Sequence, residues 1–545
     1  MLLRITSSFA AKAAAAAGLV VLGDQLFWAG GGLGSNLGAF ALAWTVTTLL
    51  LTRAAWRTRG SWAAAGAALL LAGILADNPG LLALALFWSA LAIAVLLPRF
   101  ASFDHAGRWA LRLVVHAITS IIGPWRDLFR LRKHVGGRAQ MRALLPLLPL
   151  PLLGGAVFLA LFASANPVIG DALLRVGAPE LDALSVLRAL FWMVLLTMVW
   201  AAFRPRRKQI RTMVETSGPI LELPGVSTGS VALALLTFNL LFALQNGLDL
   251  AFLWSGAPLP AGVTLADYAH RGAYPLIATA LLAGLFVLAA LQPGSAMAGV
   301  PAIRRLVVLW IAQNVFLVAS SILRTLDYID VYSLTRLRIA ALIWMALVAV
   351  GLVLIVWRML HGKSASWLIN ANAAAALLVL MACSAADLGS VAAAWNVRHA
   401  RETGGKGSAL DLCYLHRLGS SALVSLVRLE QRGGLEPGFA ARLRWVRHQV
   451  LAETLAGQRQ GWWTLRDARR LGEVEAMLGG GKLPAPPANG PTGRDCDGTP
   501  FPPPPAEVVP PPVVPPAAAP DPDPTGSVSS ALTEASSALT NKAMQ

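Results

Sequence analysis

Of 545 residues, 56% are hydrophobic and only 13% charged, and the mean hydropathy of +0.61 belongs to a chain solvated mainly by lipid rather than by water. The 45 Lys and Arg against 28 Asp and Glu give a net charge of +17, but most of the excess falls in loops flanking apolar runs, so no nucleic-acid partner is expected. Three Cys and eight scattered His exclude a disulfide scaffold, a four-cysteine zinc site and an HExxH helix; no metal and no cofactor are expected.

A bilayer core needs roughly 17 to 25 apolar residues per helix. Eleven stretches meet or approach this: 9–28, 32–52, 62–76, 80–97, 144–165, 182–203, 229–253, 273–292, 306–323, 339–357 and 367–386. The first follows Arg4 and an alanine run but lacks a cleavage site, so it reads as an uncleaved span. The third is short. Its place is supported by charge: loops 53–61, 98–142, 204–227, 293–305 and 358–366 carry 21 Lys or Arg, whereas the intervening loops hold only Arg175, Arg271, Arg324, Arg336 and Arg338. Removing the third span would break this alternation at every later loop. Cations resist translocation, so the N-terminus is expected in the cytoplasm and the chain after the eleventh span outside. Within the long inner loop, residues 104–135 alternate apolar and basic side chains at helical spacing and predict interfacial helices lying at headgroup level. The lipid bilayer is thus the first partner, and anionic lipids are expected at the basic cytoplasmic loops.

Beyond residue 386 the composition changes. The segment 387–480 is charged, amphipathic and punctuated by glycine, which predicts a small extracytoplasmic helical domain offering a surface to a protein partner. Ser408-x-x-Asp411 has capping-box form, Gly419 ends the helix it opens, and further helices begin near Pro437 and Thr464. The tail 481–545, with 17 of the 34 Pro between 481 and 527, is expected to be extended or disordered. Cys413 and Cys496 would share an oxidising compartment and either pair or stay as two thiols.

Polar side chains in hydrocarbon normally face a partner or a cavity. On the seventh span Asn239, Gln245, Asn246 and Asp249 share an arc of about 120°, and on the ninth Gln313, Ser320, Arg324 and Asp327 share about 60°. The two stripes predict a common interior, either as interhelical glue or as a hydrated path. All five Tyr fall in outer segments. That one-sidedness suggests an outer site in which Tyr268, Tyr328 and Tyr332 accompany Asp267, His270, Arg271, Arg324, Asp327 and Arg338. Thr264-x-x-Asp267 also has capping-box form, which gives Asp267 a structural role as the competing reading.

The segments PLPAGVTLADYAHRGAYPL (258–276), ILRTLDYIDVYSLTRLRIAALIWM (322–345), SANP (164–167) and WNVRHARETGGKGSALDLCYLHRLGSSAL (395–423) resemble the bacterial polytopic membrane proteins grouped as domain of unknown function 4173, close to group 4153. The resemblance covers roughly 140–475 and implies a bacterial inner-membrane protein without an assigned activity. The expected fold is all-α: a transmembrane bundle over 1–386, the helical domain and the tail. Passage of a small or lipid-linked anionic compound is the leading expectation, with Asn246, Asp249, Gln313, Arg324 and Asp327 lining the path. The second is a sensor or assembly scaffold that presents the outer domain. The third is a membrane enzyme with Asp267 or Asp327 as base and His270 as acid, which no nucleophile motif or metal-ligand set supports.

Overall fold

The computed structural model describes residues 2–29, 32–52, 58–100, 103–127, 183–205, 228–255, 300–488 and 493–502, with isolated positions at 155, 158, 159, 162, 166 and 282. The described residues are helical throughout, apart from loops and one isolated bridge between Arg494 and Pro500. In chain order the helices are α1 (Leu2–Gly23), α2 (Asn36–Leu51), α3 (Arg59–Asp77), α4 (Leu81–Leu96), α5 (Ala106–Ile121), α6 (Ala183–Phe203), α7 (Thr228–Asp249), α8 (Pro301–Tyr332), α9 (Arg336–His361) and α10 (Ala365–Ala385). They are followed by α11 (Leu388–His399), α12 (Leu412–Leu418), α13 (Ser420–Arg432), α14 (Pro437–Arg459) and α15 (Leu465–Leu478).

Among these, eight helices are long and apolar enough to cross a membrane, and α2 is a shorter apolar helix. The third expected span, the shortest of the sequence reading, is the 19-residue helix α3. The expected spans 144–165 and 273–292 lie outside the described residues, apart from isolated positions.

Two greasy cores organise the bundle. Phe40, Trp44, Leu71, Leu75, Phe87, Leu91 and Phe203 knit α1 to α4 and α6 together. Leu235, Val307, Trp310, Ile311, Leu352 and Leu368 do the same for α7 to α10. In the first group a Cβ on Gly38 would overlap the backbone of Ala76, so α2 and α3 approach as closely as they do only because that position carries no side chain.

A third core belongs to α11–α15, and here the structure departs from the division at residue 387. Leu415, Leu423, Leu426, Leu443, Val446 and Val450 pack with Ile329 and Leu334, which come from the tip of the α8–α9 hairpin. At a rise of about 1.5 Å per residue, the 32 residues of α8 make a helix of about 48 Å, well beyond a hydrocarbon core of about 30 Å. At its C-terminal end Ile329 is buried in the C-terminal module, while Asp330, Val331 and Tyr332 stay exposed. Side-chain caps open α11, α12 and α15 there: Asp387, Asp411 and Thr464 accept from the amides of Ser390, Tyr414 and Asp467, satisfying donors that a first turn leaves open. Asp411 itself caps α12, while Ser408 turns away to hydrogen-bond Ser333 at 2.7 Å. The expected roles within that capping box are therefore redistributed.

The Pro-rich region begins in an ordered state. Cys413 and Cys496 form a disulfide, Asp497 pairs with Arg442 at 2.7 Å, and the buried Arg447 donates to the carbonyl of Pro484 at 2.7 Å. Residues 493–502 are thereby stapled to α12 and α14. The expectation of a disordered tail from 503 onward concerns residues outside those described.

Candidate functional site

The polar stripes of α7 and α8 face one another. Gln313 donates to Asn239 Oδ1 at 3.0 Å, Asn239 to the carbonyl of Leu306 at 3.1 Å, and Asn246 to the carbonyl of Gln313 at 3.2 Å. Farther along, Gln245 donates to Asp249 at 3.0 Å and Trp254 to Ser320 at 3.1 Å. Between them Arg324 forms an ion pair with Asp249, their side chains only 6% and 0% exposed. Apart from the Gln245–Asp249 bond within α7, the seam is thus a ladder of interhelical bonds, each member of which would be costly if left alone in hydrocarbon. The amide oxygens of Asn246 and Gln313 accept no hydrogen bond among the described residues.

Arg324 therefore uses Asp249, across the seam, and not Asp327 on its own helix. Asp327 sits half-exposed one turn above, and Tyr328 lies beside it. Arg338 stacks over the Tyr328 ring, with 4.4 Å from its guanidinium carbon to the ring centroid, and Tyr328 lies 4.6 Å from Tyr332. The same guanidinium donates to the carbonyls of Tyr332 and Ser333, so Arg338 closes the hairpin. Ser333 is the one described residue other than glycine with positive φ, at 69°, a backbone state that needs outside support. Asn396 supplies it by bonding both the N–H and the C=O of Leu334, at 2.7 and 3.0 Å. Asp267, His270 and Arg271 lie outside the described residues. Those that are described contain no group of three or more His, Cys, Asp or Glu able to hold a metal.

Three arrangements were not anticipated. In the first, Asp24 at the end of α1 accepts from Arg188 and from the indole N–H of Trp192 on α6, at 2.7 and 2.8 Å. This mirrors the α7 site. Asp24 opens one π turn (Asp24–Ala29) and Asp249 immediately precedes another (Leu250–Trp254), and the sequences DQLFWAG at 24–30 and DLAFLWSG at 249–256 share the Asp, the Phe three residues on and the following Trp. That repeated motif was available in the chain and could have flagged Asp24.

The second is a strap over the end of the bundle nearest the C-terminal module. Arg466 and Arg469 of α15 hold Asp77 of α3 at 2.7 and 2.8 Å, and Arg466 also donates to the carbonyl of Ala385 at the end of α10. Ser35 donates its N–H to the carbonyl of Trp463 at 2.7 Å and accepts from Leu465 N–H at 2.9 Å. Side chains on Gly32 and Gly34 would overlap the backbone of Gly461 and Trp463, so the contact is made backbone to backbone. Behind it Arg470 binds Asp387, Asp467, Ser420 and Ser421. Burial pushes the Asp387 carboxyl up, but the Ser390 amide, Arg470 and Ser421 together hold it below its ordinary value.

The third lies at the opposite end, where α5 packs on α4 and α6. His116 stacks on Trp88 with centroids 5.9 Å apart, and burial, aided by Arg99, lowers its pKa to about 4. Asp104 binds Arg112 through two contacts of 2.7 and 2.9 Å, and its burial cost is outweighed so that its pKa is lowered. Asn370 of α10 accepts from Ala106 N–H at 2.8 Å, joining the two helix groups at this end.

These features define a polytopic α-helical membrane protein with a helical module fixed over one end of its bundle. The chain belongs to the family described as domain of unknown function (DUF4153), which matches residues 63–429. The match starts earlier and ends earlier than the resemblance suggested, and it is to group 4153 rather than to 4173. No curated protein and no solved structure matches the chain.

Proposed function

We propose that the chain is an envelope scaffold of a bacterial inner membrane, whose bundle carries the α11–α15 module on the extracytoplasmic side for a protein partner. The observation that carries this reading is the strap: α15 ties Asp77, Ser35 and Ala385 into one rigid contact spanning both helix groups. A transporter that rocks one helix group against the other would have to break such a contact in every cycle. Orientation with the N-terminus inside draws support from the alternation of cation-rich and cation-poor loops along the sequence. The Cys413–Cys496 disulfide adds to it, since such bonds persist in oxidising compartments.

The second reading, passage of a small or lipid-linked anion, is favoured by one observation: the seam buries a cation, Arg324, between the facing polar stripes of α7 and α8. On that reading Asn246, Asp249, Gln313 and Arg324 line the route, with Asp327, Tyr328, Arg338, Asp267, His270 and Arg271 at its outer mouth. The two separate by complementation of a deletion strain. On the scaffold reading Asp77→Arg abolishes complementation, the reciprocal Arg466→Asp in that background restores it in part, and the neutral seam Asp249→Asn with Arg324→Gln still complements. Loss of complementation in the seam variant while the strap variant complements would reverse the choice.

A further inference from the structure

The end of the bundle opposite the module carries a second cluster of charge that neither reading uses. Lys12 on α1, Arg99 at the end of α4 and Arg204 at the end of α6 converge there. Lys12 Nζ donates to the carbonyl of Phe203 at 3.0 Å, and Arg99 to the carbonyl of Val95 at 3.1 Å. Arg204 lies 3.9 Å from Asp127 and 5.6 Å from the Phe9 ring centroid. Lys12 feels Arg204, Arg99 and Asp127 together, so the three cations form one electrostatic group. Asp127, the carboxylate in their midst, is itself held by the indole N–H of Trp200 at 3.0 Å. Lys12 and Arg204 thus share a carboxylate that is already partly engaged, and Lys12 and Arg99 spend hydrogen bonds on carbonyl oxygens that carry no charge.

α5, which packs on α4 and α6 and leads into the short helical segment that carries Asp127, presents an apolar face. Leu111, Val114, Ile118, Ile121 and Ile122 are exposed by 37 to 64% and lie within an arc of about 100°, while Trp109 and His116 on the other face are buried. A helix with such a face rests in the boundary between headgroups and acyl chains. Cation and grease on neighbouring elements match the two halves of a lipid, and basic pockets between helices at a membrane surface suit phosphate-bearing headgroups.

We propose that Lys12, Arg99 and Arg204 bind the phosphodiester headgroup of an anionic phospholipid whose acyl chains lie along the exposed face of α5. The site's chemistry stands on these contacts; only its assignment to the cytoplasmic leaflet rests on the orientation argued above.

The test uses the full-length protein in detergent, titrated with phosphatidylglycerol, phosphatidylcholine or free glycerol 3-phosphate. Native mass spectrometry reads the retained lipid, and thermal melting reads stabilisation. Phosphatidylglycerol is expected to be retained in preference to phosphatidylcholine and to raise the melting point, with glycerol 3-phosphate giving neither effect. Each cation near a lipid surface contributes about 1 kcal/mol, roughly a fivefold factor, so Lys12→Gln, Arg99→Gln and Arg204→Gln combined should weaken phosphatidylglycerol by roughly a hundredfold. Arg204→Gln alone, should the triple variant fail to fold, should weaken it by roughly fivefold. Arg469→Gln at the far end should leave it unchanged. Equal retention of both lipids by the wild-type protein would overturn the proposal without any variant. Stabilisation by glycerol 3-phosphate equal to that by phosphatidylglycerol would overturn the lipid as its source. Because both bilayer leaflets are absent in detergent, neither failure bears on the orientation.

Discussion

Arg324 shows how a single side chain divides two accounts of the bundle. With its guanidinium on Asp249 and both groups buried, removal of either partner leaves an uncompensated charge, a loss of about 3 to 5 kcal/mol. Arg324→Ala and Asp249→Ala should each lower detergent melting strongly, and the double variant should recover much of the loss. Arg324→Ala combined with Asp327→Ala should instead be additive, because Asp327 is not its partner. Four-variant melting of each pair checks this; additivity with Asp249 would remove the ion pair from the account. Helical periodicity made the stripe on each span legible, since 100° per residue fixes which residues share a face. It could not name the partner. The nearest acid in sequence is three residues away, whereas the acid that Arg324 meets is 75 residues away on a helix whose position only packing determines.

At the scale of elements, the spans were the most legible feature. Length, hydropathy and the charge of the loops all constrain the same boundaries, and the charge alternation kept the short span that became α3. The C-terminal helices were legible through their caps and glycines, because a cap is local chemistry within four residues. Tertiary attachments were not. Nothing near Asp77 marks it as the counter-ion of Arg466 and Arg469, and proline content alone hid the ordered piece at 493–502. That piece yields a graded prediction. Truncation after Pro502 should leave melting unchanged, whereas truncation after Pro484 removes Cys496 and Asp497 and should cost about 2 to 4 kcal/mol, the usual contribution of a disulfide. Melting of the two truncated proteins under non-reducing conditions reads the difference. Equal stability would mean that the staple carries no load.

At the scale of the described molecule, the two main bundle cores and the core of the C-terminal module are joined by two kinds of link. The α8–α9 hairpin extends past the bundle and buries Ile329 and Leu334 in the C-terminal module, and the strap of α15 returns from the module to α3 and α10. The module therefore has its position fixed from two directions, which is what a scaffold requires. The measurement that tests this placement most directly is thiol labelling of intact cells. In a Cys383→Ser background, which removes the one free thiol, a membrane-impermeant reductant followed by a membrane-impermeant maleimide should label two cysteines, Cys413 and Cys496, with no labelling when the reductant is omitted. Labelling only after the cells are lysed would put the module in the cytoplasm and contradict the account.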